Sequence, residues 1–106
     1  MQTFDSKSID DVRSSNGTIV VLFYADWCPF CRAFKPVFES FDGKSGVSFG
    51  EARLNEDGNP MWDRFEIKIV PSVVAFKGGK AVARMDGRAG EGLSKKDLEA
   101  FLKRTL

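Results

Sequence analysis

The sequence predicts an α/β fold, a mixed central β-sheet flanked by helices on both faces, in one domain over residues 1–106. Three observations predict it. Strand-like and helix-like patterns alternate along most of the chain. The run Thr18 to Tyr24 (TIVVLFY) is apolar on both alternations, as a central strand covered on two sides must be. Near the end, Gly78-Gly79 joins two strand patterns as a hairpin before a last amphipathic helix.

The elements follow in order. Met1 to Phe4 reads as a strand or extended lead-in. Ser8 with Asp11 reads as a capping box opening a short helix, with Ile9 and Val12 on one face and Asn16-Gly17 as its stop. After the central strand, Phe30, Phe34, Val37, Phe38 and Phe41 recur at helical spacing. They mark one face of a helix that Asp42-Gly43 stops and Pro36 should kink. Val47 to Leu54 reads as the next strand. Asn59-Pro60 opens a short helix through Met61, Trp62 and Phe65. Val73 to Phe76 and Lys80 to Met85 form the hairpin strands. A glycine-rich loop, Gly87 to Gly92, then leads to Ser94 and Asp97 as the cap of a helix facing inward through Leu98, Phe101 and Leu102. The order is β-α-β-α-β-α-β-β-α.

Composition narrows the function. Sixteen Lys and Arg stand against fifteen Asp and Glu, a net charge of +1, and the basic residues are scattered, which disfavours nucleic-acid binding. Residues 1–10 lack the basic and apolar blocks of a signal peptide, and Ile19 to Ala25 is too short to cross a bilayer. A soluble, cytoplasmic, monomeric protein without membrane partners is expected. With two Cys and no His, one chain cannot complete a four-ligand zinc site, so no metal is expected.

The two cysteines lie in Trp27-Cys28-Pro29-Phe30-Cys31, where the strongest strand gives way to a helix. A helix N-terminus offers unpaired N–H groups and a positive dipole end, which favour a thiolate at Cys28. Cys31 follows one turn later on the same side, close enough to form a disulfide. Pro29 suits a first turn because its missing N–H has no intrahelical partner there. These features describe a redox-active disulfide Cys28–Cys31 with no other cofactor. Cys28 attacks a substrate disulfide, and Cys31 resolves the mixed disulfide.

On these residues the chain resembles the thioredoxin family. The match runs through Phe23 to Arg32 (FYADWCPFCR), Pro36, Leu54-Asn55, Phe65 to Gly79 (FEIKIVPSVVAFKGG), Gly87 and the last helix. The resemblance implies a thioredoxin fold and reduction of protein disulfides, with electrons from a thioredoxin reductase or an equivalent donor. It implies a cis Val70-Pro71 bond facing the dithiol, and a substrate groove lined by Trp27, Val70, Pro71 and Gly87. Read without the resemblance, Pro71 is a strand-entry proline that keeps Val70 extended.

Departures from the family pattern set further expectations. The buried carboxylate common six residues before the first Cys is here Leu22, which leaves the Cys31 thiol without a nearby base and titrating high. Its usual lysine partner is Arg53, either an electrostatic modulator of that thiol or a side chain snorkelling from a sheet edge. Pro29-Phe30 replaces the usual Gly-Pro, closer to a glutaredoxin dipeptide, and predicts a less negative reduction potential. Ile69 replaces a common glycine, so Trp27, Phe30, Ile69 and Val70 are expected to form an exposed patch for protein substrates. Trp62 either extends that patch or packs inward. The Gly87 to Gly92 loop is longer than the usual connection, and its glycines suggest mobility.

Three rival readings remain open. A glutathione-dependent, glutaredoxin-like reductase is favoured by Phe30 and opposed by the 27 residues before Cys28. An oxidant or isomerase of folding proteins would need an oxidising compartment. A non-catalytic client-binding module on the same fold has no need of both cysteines.

Overall fold

The computed structural model describes residues 1–14, 17–43 and 46–105. Five strands, β1 (Gln2–Phe4), β2 (Thr18–Tyr24), β3 (Ser48–Arg53), β4 (Ser72–Lys77) and β5 (Lys80–Asp86), form one sheet in the order β1-β3-β2-β4-β5. A 3₁₀ helix (Ser8–Ser14) and the helices α1 (Pro29–Glu39), α2 (Met61–Arg64) and α3 (Lys95–Thr105) complete the fold. β1, β3 and β2 run parallel, β4 pairs antiparallel to β2, and β5 returns antiparallel to β4. The central position of β2 explains its unbroken apolar run: Ile19 to Phe23 are all fully buried.

The two alternations of β2 divide the core. Ile19, Val21 and Phe23 pack with Ile9 and Val12 of the 3₁₀ helix, Met61 of α2 and both cysteines. Val20 and Leu22 pack with Phe34 and Phe38 of α1 and Leu98, Phe101 and Leu102 of α3. Helices therefore cover both faces, as the sequence predicts, because each face of the sheet is apolar and has to leave water.

Local differences have physical causes. The first helix is 3₁₀, and its cap lies at Asp5: Asp5 Oδ1 accepts the N–H groups of Lys7 and Ser8 at 2.9 and 2.7 Å, while Ser8 Oγ accepts that of Asp5 at 2.8 Å. Ser8 is therefore the returning partner of a box that starts three residues before the predicted one. Asn16, half of the predicted stop, lies outside the described residues, and Gly17 has the positive φ of 97° that a stop glycine needs. α1 ends at Glu39 with Ser40 as its C-cap, before Asp42-Gly43, and Pro36 lies within it. Phe34 and Phe38 are buried as the periodicity predicts, whereas Phe30 is exposed and Phe41 half-buried. The Ser94–Asp97 box forms as read: Ser94 N–H donates to Asp97 Oδ2 at 2.8 Å and Asp97 N–H to Ser94 Oγ at 3.2 Å.

Candidate active site

β2 ends at Tyr24, and the chain turns through Ala25, whose carbonyl accepts the N–H of Cys28 at 3.2 Å. Cys28 is the N-cap of α1, with an extended backbone (φ −95°, ψ 116°) and Pro29 beginning the first turn. Its Sγ accepts the Cys31 N–H at 3.4 Å, the contact by which an N-cap side chain satisfies an orphan donor of the first turn. The same sulfur lies 3.5 Å from the Val70 carbonyl oxygen, to which the thiol donates. The Val70-Pro71 bond is cis, in agreement with the expectation from the resemblance, and Pro71 leads directly into β4.

Both cysteines are free thiols. Cys28 keeps 6% of its surface exposed and Cys31 1%, so the narrow access to solvent belongs to the leading residue. Burial pushes the Cys31 thiol up to about 12, with the neighbouring Cys28 adding to the rise; the Ala25 backbone and the Arg32 charge oppose it. The direction agrees with that expected from Leu22, and its first cause is enclosure by the core.

The turn before α1 is pinned from the segment that follows β3. Asn55 Oδ1 accepts the Asp26 N–H at 2.8 Å, Asn55 Nδ2 donates to Asp26 Oδ2 at 2.9 Å, and the Trp27 indole donates to the Asn55 carbonyl at 3.1 Å. Arg32 adds a hydrogen bond to the Asp26 carbonyl at 3.0 Å. Arg53 pairs with Asp26 at 3.4 Å on the exposed surface, two residues before Cys28.

The predicted groove residues gather here, but the exposed patch is smaller than expected. Trp27 and Phe30 are exposed by 56% and 41%, Ile69 is half-buried, and Val70, Pro71 and Gly87 are buried. Val70 thus presents its carbonyl rather than its side chain, because that side chain belongs to the core cluster holding the cysteines. Pro29 is exposed beside them. Trp62 packs inward against the same core, its indole donating to the Glu56 carbonyl at 3.0 Å.

Sequence reasoning missed three residues. Asn55 counted only as part of a resemblance, and its anchoring role needs the register of β3 beside β2. Glu51 is a buried carboxyl paired in register with Leu22, so this face does carry an acid, on the neighbouring strand. Desolvation first and Glu39 next raise it to about 7, against the pull of Lys35 at 3.7 Å, and its Oε2 has no hydrogen-bond partner. Its signal was a lone acid inside a strand pattern. Gly92 is the third: the loop read as mobile closes on itself, with Gly92 N–H donating to the Arg88 carbonyl at 2.8 Å and Arg88 N–H to the Gly92 carbonyl at 3.1 Å.

Two thiols of unequal burial at the N-terminus of a helix, one donating to a backbone carbonyl beside a cis proline, define a thiol–disulfide oxidoreductase. The Thioredoxin family model matches residues 2–104, and the chain belongs to the thioredoxin family. It is 34% identical over 88 residues to a thioredoxin of Mycobacterium tuberculosis, a match covering 82% of this chain and 76% of that protein. It is 32% identical over 99 residues to a bifunctional thioredoxin reductase/thioredoxin of Mycobacterium leprae, covering 92% of this chain and 22% of that longer protein. In fold it is similar to thioredoxin f2 of Chlamydomonas reinhardtii, with a TM-score of 0.83 at 20% identity over 99% of this chain and 95% of that one. A mutant thioredoxin from Halobacterium salinarum superposes with a TM-score of 0.79 at 24% identity, over 97% of this chain and 88% of that one. Among the described residues, no helix is long and apolar enough to cross a membrane, and no three His, Cys, Asp or Glu are grouped to hold a metal.

Proposed function

We propose that this protein reduces disulfides in other proteins, with Cys28 as the attacking and Cys31 as the resolving thiol. The Cys28 thiolate attacks one sulfur of the substrate disulfide, and the other sulfur leaves as a thiolate that takes up a proton. Cys31, deprotonated in turn, attacks Cys28 in the mixed disulfide and releases the second substrate sulfur as a thiol. Two electrons pass to the substrate, and the protein is left with the Cys28–Cys31 disulfide. A thioredoxin reductase, or a donor of equivalent chemistry, returns the pair to dithiol. The protein works in this reading as a cytoplasmic monomer, without metal or organic cofactor.

The observation that carries the reading is the position of the Cys28 sulfur. It takes a helix N-terminal N–H from Cys31 on one side and meets the Val70 carbonyl on the other, with Cys31 sealed behind it. Trp27, Phe30 and Ile69 supply side chains around the opening, while Val70, Pro71 and Gly87 supply its backbone wall. Arg53 acts as a modulator at one remove, by neutralising Asp26. The test is trapping: Cys31→Ser is expected to hold substrate proteins on Cys28 as stable mixed disulfides, and Cys28→Ser to hold none. Equal cleavage of a protein disulfide by Cys28→Ser and the parent would contradict the assignment.

A further inference from the structure

The Arg88–Gly92 hairpin is fitted to the dithiol site at both ends. At its start, Gly87 donates its N–H to the Pro71 carbonyl at 2.9 Å, and a Cβ on Gly87 would lie 2.7 Å from that oxygen. At its end, Gly92 has a φ of +72°, and a Cβ there would lie 2.7 Å from Phe30 Cβ and 3.1 and 3.2 Å from two of its ring carbons. Both approaches need a residue without a side chain. On the far side Arg88 grips Asp97 with two hydrogen bonds, at 3.1 and 2.9 Å, and Glu91 with one at 3.1 Å. Asp97 belongs to the box that caps α3, so the hairpin is tied to a helix as well as to itself.

Phe30 stands on this support and remains 41% exposed. It and Trp27 are two of the four large exposed hydrophobic residues among those described, and they flank Cys28 along the chain. A small disulfide has to reach the sulfur alone. A disulfide within a peptide must also lay its neighbouring residues across the rim, where the Phe30 ring and the hairpin lie.

We propose that the hairpin and Phe30 form a selectivity wall for peptide and protein disulfides, favouring those with an apolar side chain beside the half-cystine, and that Gly92 is the positioning residue for the Phe30 ring. The proposal deepens the dithiol reading above and rests on it. A Cβ at position 92 meets Phe30 Cβ, which is fixed to the backbone of α1, as well as the ring, so the hairpin and the whole Phe30 side chain must part and the ring loses its support. Position 90 supplies the control: Gly90 has the same kind of backbone (φ +76°), but a Cβ there meets nothing within 4 Å. Gly90→Ala therefore carries the strain of Gly92→Ala without the contact.

The experiment compares kcat/KM for two cystine-bridged peptides, identical except for phenylalanine or serine beside the half-cystine, with the small disulfide dithiobis(nitrobenzoate) as a third substrate. The ratio between peptides cancels the concentration of folded enzyme, so a partly unfolded variant still reports selectivity. The parent is expected to favour the phenylalanine peptide by about fivefold or more, a preference that falls to within about twofold in Gly92→Ala and in Phe30→Ser and persists in Gly90→Ala. A parent without preference, or a preference that survives in Gly92→Ala and Phe30→Ser, overturns the wall. A parent that cleaves none of the three substrates refutes the dithiol reading itself, a different result from cleavage without selectivity.

Discussion

The Cys28 sulfur stands 3.5 Å from the Val70 carbonyl oxygen, while the Cys31 N–H points at it from 3.4 Å. The two contacts suit opposite protonation states. A thiol donates to the carbonyl, and a thiolate is held by the N–H at the start of α1. Both partners lie within reach of the one sulfur position. Cys31 is enclosed by core, with the Ala25 backbone and the Cys28 sulfur beside it.

The enclosure of Cys31 sets the pH dependence of the second chemical step. With its thiol pushed up to about 12, the thiolate fraction grows steadily through neutral and mildly alkaline solution. Breakdown of a preformed Cys28–nitrothiobenzoate adduct, followed by release of the chromophore, is expected to accelerate about tenfold per pH unit between about pH 7 and pH 9. A plateau in that interval would show that a base near Cys31 takes its proton.

Glu51 makes stability depend on pH. Its carboxyl is raised to about 7 from 4.5, so the folded state binds the proton more tightly than the unfolded chain. The stability this gives is complete below about pH 4.5 and is lost as pH rises through about 7. Lys35 and Glu39 of α1 face the same carboxyl and share the titration. Urea unfolding across this range should show the decline in the parent and a flatter profile in Glu51→Gln.

Phe38 joins α1 to the sheet, fully buried with its ring centroid 5.3 Å from that of Phe49 on β3. Phe38→Ala is expected to cost about 3–5 kcal/mol of stability, through lost burial and the cavity left behind. Chemical denaturation measures it. A loss below about 1 kcal/mol would mean that α1 repacks or contributes little to the fold.

Much of this architecture was legible in the sequence for identifiable reasons. β2 is read to the residue because no other element is apolar on both alternations for seven positions. The Ser94–Asp97 box and the Gly78-Gly79 turn are readable because short-range chemistry decides them. The first cap is misplaced by three residues because Asp5-x-x-Ser8 and Ser8-x-x-Asp11 carry similar signals, and tertiary packing chooses between them. Phe30 fits the periodicity of α1, yet it lies in the first turn at the rim of the site, and its partner Gly92 comes from far along the chain. Glu51 is hidden for the same kind of reason, since α1 rather than β3 buries it. The dithiol is read directly. The wall beside it depends on where a side chain is missing, which no pattern of apolar residues records.

The most direct test of the account is the order in which the two thiols react. Reduced protein treated with limiting iodoacetamide at about pH 8 and mapped by peptide mass spectrometry is expected to carry the label on Cys28, with Cys31 unmodified until the protein unfolds. Label appearing first on Cys31, or equally on both in the folded protein, would contradict the assignment of Cys28 as the attacking thiol.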